Sequence, residues 1–400
     1  MKNHFFVSLR LALVLLASIF SFLYSQAQDS SVESNTYQFY NSFSTTDTQI
    51  DSAEATFFIL LGDAGKPDPI QNSALQKLIA PFKPYNATAL FLGDNIYPNG
   101  MAGGNNSHGR EVMQQLVEPF EDYSGRIYFV PGNHDYHKIW KPSGNKRIKA
   151  QANWVNASKQ QFDQAKELAL LPDPLVKKGE KVASRVIDDK TGLIILDTEW
   201  YLNKKWWFDY RRTSDRFENA LSDQLQSLNE RGIENVIVAA HHPLNSIAKH
   251  GVQHSPVQKQ HLSHKRYREM RDKLNVILNS SGIENIIYVA GHDHTQQIIS
   301  ETGFVQVISG GVSKNTYLFS PDTKNEEILA YIHQPEPLVN DLPHKQRSQA
   351  RYALNNLKYA TNQRGMIVLA FYNDQLYFSA YGFQSGNSQP FILLSQGRIF

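Results

Sequence analysis

Five short apolar runs of this chain end in acid, amide or imidazole side chains, and this pattern limits the possible folds more than any other feature. The runs with their endings are TFFILLGD (56–63), ALFLGD (89–94), RIYFVPGNHD (126–135), NVIVAAHHP (235–243) and NIIYVAGHDH (285–294). Continuous apolar runs separated by amphipathic stretches predict strands that are buried on both faces and flanked by helices. In α/β sheets, ligands bind outside the carboxyl ends of the strands. We therefore expect these endings to meet in one cluster.

The rest of the chain supports an α/β class. Two further apolar runs, 192–200 and 304–311, continue the strand pattern. Between them, leucines at 221, 225 and 228 recur at helical spacing. Two strand-like runs meet at Asn373-Asp374 and predict a hairpin over 366–383 near the C-terminus. The segment 320–365 does not fit the alternation of strand-like runs and helical stretches, so it is interpreted as an insertion or cap.

The N-terminus has the pattern of a secretory signal peptide. Lys2 and Arg10 precede the apolar run 11–23, and the small residues Ser25 and Ala27 follow it. This predicts cleavage after Ala27 and a secreted or periplasmic protein. The alternative is a membrane anchor, but the run is shorter than the roughly 20 residues that a span needs. The polar stretch 28–54 is interpreted as a flexible lead-in, and 55–400 as the functional domain.

Composition excludes several kinds of partner and ligand. The formal net charge is +2, so bulk electrostatics gives no reason to expect a nucleic-acid partner or an anionic membrane surface. No later segment is apolar enough to span a bilayer once the signal is removed. The chain has no cysteine, so a metal site must use oxygen and nitrogen ligands.

The strand endings offer such ligands in excess of what one ion needs. The candidates are Asp63, Asp94, Asn133, His241, His292 and His294. One ion with an open position does not use them all, so the set predicts two ions, with Asp94 as the bridging ligand. Two ions activate a water and hold a phosphoryl oxygen for attack. Mixed Asp, Asn and His ligands suit iron, manganese or zinc. The glycines before four of these residues are expected to let the backbone turn sharply there.

The order GDAG, GDNIY, GNHD, HHP, GHDH resembles the calcineurin-like metallophosphoesterase family. Tyr97, three residues after Asp94, is similar to the tyrosine of its purple acid phosphatase branch. AAHHPLNSIAKHG (239–251) resembles the small, tartrate-resistant type. The resemblance implies a four-layer β-sandwich flanked by helices.

The resemblance also implies residue roles. Ferric iron would be held by Asp63, Asp94, Tyr97 and His294. A second ion, Fe2+, Zn2+ or Mn2+, would be held by Asp94, Asn133, His241 and His292. The catalytic histidines would be His134 and His250. The substrate phosphate would contact Asn133, His134, His242 and His250.

The resulting hypothesis is an acid phosphatase-like enzyme that hydrolyses a small phosphorylated substrate by means of a hydroxide bridging the two ions. Two alternatives stay open: a phosphodiesterase acting on nucleotides or lipid head groups, and a non-catalytic metal- or phosphate-binding protein. His242 stands where the small purple phosphatases commonly have tyrosine. The stretch 252–273 is longer than their short loop and is interpreted as exposed. These two differences from the family pattern leave the substrate open and do not affect the predicted metal ligands. The oligomeric state stays open.

Overall fold

The apolar runs fold into the strands of two β-sheets packed face to face. The computed structural model of the 400-residue chain describes residues 39–40, 54–85, 87–103, 107–137, 144–176, 181–203, 207–253, 258–320, 335–340, 342, 344–386 and 389–400. The predicted signal peptide lies outside these residues. The predicted lead-in is outside them too, except for Phe39–Tyr40, which forms a strand, and Glu54.

One sheet has seven strands. Its members are β2 (Thr56–Leu61), β3 (Thr88–Phe91), β4 (Arg126–Phe129), β5 (Glu167–Leu170), β13 (Gly365–Tyr372), β14 (Gln375–Phe383) and β15 (Phe391–Arg398). The strand order is β15-β14-β13-β2-β3-β4-β5. Strands β2 to β5 run parallel, and β13 joins β2 antiparallel. The parallel half thus directs three of the polar strand endings to one edge.

The other sheet has eight strands. Its members are β1 (Phe39–Tyr40), β6 (Val182–Val186), β7 (Thr191–Leu196), β8 (Asn235–Ala239), β9 (Asn285–Ala290), β10 (Gln296–Glu301), β11 (Phe304–Ser309) and β12 (Leu357–Thr361). The order is β1-β12-β10-β11-β9-β8-β7-β6. Strands β11, β9, β8 and β7 are adjacent in this order and run parallel to one another. The endings that carry His241 and His292 follow β8 and β9.

Helices cover the outer faces of both sheets. Their bounds are α1 (Pro69–Ile79), α2 (Ser107–Val117), α3 (Gly144–Ser158), α4 (Thr198–Leu202), α5 (Trp207–Glu230), α6 (Lys249–Val252), α7 (Lys265–Asn279), α8 (Glu336–Asn340) and α9 (His344–Asn355). None of these helices combines the length and apolarity needed to cross a bilayer, as far as the described residues go.

Strand β2 shows why the apolar runs are continuous. Its Phe58 and Leu60 belong to the core between the two sheets, whereas Phe57, Ile59 and Leu61 belong to the core beneath α1 and α2. Alternate side chains of a strand point to opposite faces. A strand with both faces covered therefore needs an apolar residue at every position. The prediction of an α/β fold with strands buried on both faces is confirmed.

The C-terminal part of the chain extends the sheets. The predicted hairpin forms from β13 and β14, and its turn residues Asn373 and Asp374 have φ values of 51° and 57°. Asn and Asp tolerate this left-handed conformation better than most residues. Segment 320–365 is interpreted from the sequence as an insertion or cap. Its last part instead contains β12, which is a strand of the eight-stranded sheet between β1 and β10. Residues 321–334 of the segment lie outside the described ranges.

Candidate metal centre

The carboxyl ends of parallel strands from both sheets meet at one place. In the seven-stranded sheet, Asp63 N donates to Gly93 O at 3.1 Å. Across the sheets, Gly62 N donates to Ser309 O at 2.8 Å, and Ser309 Oγ donates to Leu60 O at 2.8 Å. These bonds hold β2 against β11. The strand pattern predicted one shared edge, and the structure builds it from the edges of two sheets.

Glycines at this edge allow strand ends to approach closely. A Cβ on Gly132 would lie 2.1 Å from the backbone nitrogen of Asp94. A Cβ on Gly93 would lie 2.5 Å from His241 Nδ1. Both distances are shorter than any van der Waals contact, so a side chain at either position would push the candidate ligands apart.

The sharp backbone turns lie mostly on the candidate ligands themselves. The φ values of Asp63, Asp94 and His292 are 58°, 54° and 69°. Gly93 also has a positive φ, of 89°, but Gly62, Gly132 and Gly291 do not. The expectation that the preceding glycines make the turns is therefore correct only for Gly93. Left-handed backbone at non-glycine residues clusters at functional sites, where the surroundings hold it in place.

Asp63, Tyr97 and His294 form the first ligand cluster. The Tyr97 hydroxyl donates to Asp63 Oδ1 at 2.8 Å and lies 3.1 Å from His294 Nε2. His294 Nε2 is 3.3 Å from Asp63 Oδ1. Burial raises the pKa of Tyr97 well above its usual value, and the charges of Asp63 and Asp94 raise it further. Without a cation the phenol therefore keeps its proton, and a positive ion among these atoms would reverse that balance.

Asn133, His241 and His292 form the second cluster. His241 Nδ1 lies 2.8 Å from Leu92 O, and His292 Nε2 lies 2.8 Å from Gln260 O. A carbonyl oxygen only accepts hydrogen bonds, so these two nitrogens carry the ring protons. The opposite nitrogens, His241 Nε2 and His292 Nδ1, then present lone pairs, and they lie only 3.2 Å apart.

The centre of the second cluster is therefore lined by hydrogen-bond acceptors. Asn133 Oδ1 lies 3.0 Å from His241 Nε2 and 3.1 Å from His292 Nδ1. Asp94 Oδ1 lies 3.4 Å from His241 Nε2. Burial lowers the pKa of His292 well below its usual value, which keeps that ring neutral. Converging lone pairs repel one another unless a cation lies between them, so this donor set fits a metal ion.

Asp94 connects the two clusters. Ligand atoms of Asp63, Asp94 and His241 all lie within 4.8 Å of one another. Burial alone would raise the pKa of Asp94, but the positive charge of His134 and a hydrogen bond from the His134 amide lower it. The carboxylate is thus anionic and central, as a bridging ligand must be.

The two predicted catalytic histidines lie beside the ligand clusters. His134 Nδ1 is 2.5 Å from Pro98 O, and its Nε2 is 3.7 Å from Asp94 Oδ2. The ring of His250 lies against that of His292, with centroids 4.3 Å apart and an interplanar angle of 34°. Burial lowers the pKa of His250 well below its usual value. The structure thus brings both rings to the site.

His242 packs beside His241 and His292, and one ring nitrogen from each of the three lies within 4.8 Å of the others. Its side chain is fully buried, its Nδ1 is 2.9 Å from Thr198 Oγ1, and its ring packs edge-on against Tyr267. A substrate would reach this ring only if the surrounding side chains moved. The predicted substrate contact of His242 therefore lacks an exposed atom to make it.

Sequence reasoning overlooked the ending of the run 192–200. Asp197, Thr198 and Glu199 follow β7 at the same edge, and all three are buried. Glu199 Oε2 lies 3.6 Å from His242 Nε2, and burial raises the pKa of Glu199 well above its usual value. The signal is present in the sequence, because this run also ends in acids.

Lys314 is a second residue that sequence reasoning missed. Its ammonium nitrogen lies 3.9 Å from the centroid of the Tyr97 ring. Lys314 comes five residues after the end of β11, in the same loop as Ser313, whose hydroxyl donates to Asp63 O. A cation over an aromatic face is attracted to the ring electrons. A positive charge is thereby held beside the first cluster.

Comparison with known proteins assigns the class. Residues 45–296 match the family model described as calcineurin-like phosphoesterase. The match covers more than half of the chain, so the protein belongs to the calcineurin-like phosphoesterase family. No curated protein sequence matches the chain.

Solved structures show the fold at low sequence identity. GAP50, described as the anchor in the inner membrane complex of Plasmodium, is 16% identical with a TM-score of 0.53, over 86% of this chain and 88% of that one. PhoD is 12% identical with a TM-score of 0.49, over 87% and 73%. A putative 5'-nucleotidase from Staphylococcus aureus is 10% identical with a TM-score of 0.33, over 86% and 54%. At these identities, the first likeness supports the fold and nothing finer.

Proposed function

We propose that this protein is an exported phosphomonoesterase of the purple acid phosphatase type. Family membership supports hydrolysis of a phosphoester bond in a small substrate. One observation carries the finer proposal: the Tyr97 hydroxyl lies 2.8 Å from Asp63 Oδ1 and 3.1 Å from His294 Nε2. A phenol oxygen within such a cluster is a ligand for a trivalent ion.

The first cluster suits ferric iron. Asp63, Asp94 and Tyr97 offer three oxygen atoms that are anionic once the phenol proton is lost, and His294 adds one imidazole nitrogen. Hard anionic oxygens favour a highly charged ion, and its charge lowers the phenol pKa. The second cluster has one shared carboxylate, one neutral amide oxygen and two neutral imidazoles. Its lower negative charge suits Fe2+, Zn2+ or Mn2+.

When bound, two such ions supply an activated water and neutralise the charge that develops on the phosphoryl group. The chain itself provides the remaining functions. His134 donates its Nδ1 proton to Pro98 O, so its Nε2 faces the site. Nδ1 of His250 has no hydrogen-bond partner among the residues that the structure describes. The leaving oxygen needs a proton, and His134 supplies it as a general acid, while the neutral ring of His250 offers the same oxygen a hydrogen bond.

Export is part of the proposal and rests on the N-terminal pattern of Lys2, Arg10 and the apolar run 11–23. An exported enzyme without cysteine depends on its core and its metal ligands for stability.

The test is a pair of model substrates with purified, metal-loaded protein. We expect hydrolysis of p-nitrophenyl phosphate at acid pH and slow turnover of bis-p-nitrophenyl phosphate. Removal of metal by a chelator should abolish turnover, and reloading should restore it. Activity confined to the bis-ester would instead support the phosphodiesterase alternative. Metal-loaded protein that hydrolyses neither substrate would support the binding-protein alternative.

A further inference from the structure

The segment 258–262 contacts residues of the candidate metal centre. It belongs to the stretch 252–273, which the sequence predicted to be an exposed loop. In the structure His261 is only 3% exposed and Leu262 only 1%. The expectation of an exposed loop is therefore wrong for these two residues, because their side chains are packed against the metal centre and the neighbouring core.

The backbone of this segment contacts both a candidate ligand and a catalytic histidine. Gln260 O accepts the ring proton of His292 Nε2 at 2.8 Å. Leu262 N donates to His250 O at 3.0 Å. Hydrogen-bond partners on the far side of a ligating imidazole fix its orientation. The segment thus orients the His292 ring and is bonded to the backbone of His250.

The side chain of His261 contacts His250 directly. Their ring centroids are 4.8 Å apart with an interplanar angle of 42°. The His250 ring also contacts that of His292, with centroids 4.3 Å apart. His261 is held in turn by a 2.5 Å contact between its Nε2 and Gln258 Oε1. His250 is therefore in contact with both a ligand ring and a ring of the segment.

We propose that His261 is a positioning residue that holds the His250 ring in the orientation needed to serve the leaving oxygen. The inference rests on the proposed function, because it assigns His250 to the leaving-group side. With the ring of His261 removed, His250 would gain room to rotate away from His292. A displacement of about 1 Å in a catalytic group costs on the order of 10²-fold in rate.

The test compares His261→Ala with His261→Phe. The alanine variant removes the ring, whereas phenylalanine keeps a flat ring of similar size against His250. We expect His261→Ala to lower kcat by about 10²-fold with little change in KM, and His261→Phe to recover most of that loss. Metal content should stay at the wild-type level in both variants, since neither changes a ligand.

His264→Ala is the matched control. His264 lies in the same stretch, and its side chain accepts a hydrogen bond from Arg266 N at the start of α7. Loss of this cap should lower the unfolding temperature while leaving kcat unchanged. A fall in kcat in His261→Ala alone therefore reports on the ring contact and not on general stability.

Three outcomes would overturn the proposal: wild-type kcat in His261→Ala, an equal loss in His261→Phe, or loss of metal from His261→Ala. A crystal structure of His261→Ala adds a readout that does not need turnover. The proposal requires the His250 ring to leave its position against the His292 ring, and an unchanged ring would refute it. An inactive wild-type enzyme with a displaced ring would overturn the proposed function while leaving the positioning role intact.

Discussion

Replacement of Asp94 separates the electrostatic role of this residue from its structural role. Asp94 is 1% exposed, has a φ of 54°, and accepts a hydrogen bond from His134 N at 2.8 Å. Asn tolerates a left-handed backbone and keeps the accepting oxygen. Asp94→Asn thus removes the negative charge and little else. Asp94→Ala removes the acceptor as well and places an ordinary side chain in a strained conformation.

The expected magnitudes follow from those contacts. In the metal-free protein, Asp94→Ala should lose about 1–2 kcal/mol of unfolding free energy from backbone strain. It should lose a further ~1–3 kcal/mol from the unsatisfied buried amide. Asp94→Asn should lose less than Asp94→Ala, because it keeps the accepting oxygen and loses only the attraction between the carboxylate and His134. Both variants should lose at least about 10³-fold in turnover, because each lacks the charge shared between the clusters.

Three measurements test this reasoning together. Urea unfolding of the metal-free proteins gives the stability differences, elemental analysis gives the metal content, and p-nitrophenyl phosphate hydrolysis gives turnover. Turnover of Asp94→Asn within about tenfold of wild type would refute the bridging role, since it lies far outside the loss expected for a main electrostatic group.

Other residues give separate predictions. His250→Ala should lower turnover by about 10²-fold or more while metal content stays full; loss of metal would instead make His250 a ligand. Asp68 caps α1 through Gln71 N at 2.8 Å and pairs with Arg364 at 2.7 Å. Burial alone would raise the pKa of Asp68, but the bonds from Arg364 and Gln71 outweigh it and lower the pKa. The stabilisation is therefore present above the unfolded-state pKa of about 3.9 and lost as pH falls through the folded-state pKa. Asp68→Ala should cost about 0.5–2 kcal/mol at pH 7 in urea unfolding, and the difference should shrink below about pH 4. The mature N-terminus should be at or near Gln28, and native protein that still begins at Met1 would contradict the cleaved signal.

The sequence was sufficient to predict the fold class and to identify the strand endings that meet at the site. After the first residue of each strand, β2 and β3 are apolar at every position, because both strands are buried on both faces. That periodicity is local and can be read directly from the sequence. The polar residues that interrupt these runs then identify the edge where a site can form.

Features that depend on contacts between distant segments could not be predicted in this way. The position of Lys314 over the Tyr97 ring and the packing of His261 on His250 join parts of the chain with no shared pattern. His242 looked like its neighbour His241, but the direction of its ring is set by Thr198 on another strand ending. Segment 320–365 contains β12, whose membership in a sheet depends on its pairing with β10.

The central claim is that Tyr97 holds a ferric ion beside Asp94, and visible absorption of the iron-loaded protein tests it most directly. A phenolate bound to ferric iron gives a charge-transfer band, so wild-type protein should be coloured, and Tyr97→Phe should lose the band. The variant keeps Asp63, Asp94 and His294, which lie at the same cluster and can still hold a divalent ion with some activity. A colourless iron-loaded wild type, or an unchanged band in Tyr97→Phe, would contradict the claim and leave a divalent-metal enzyme of the broader family.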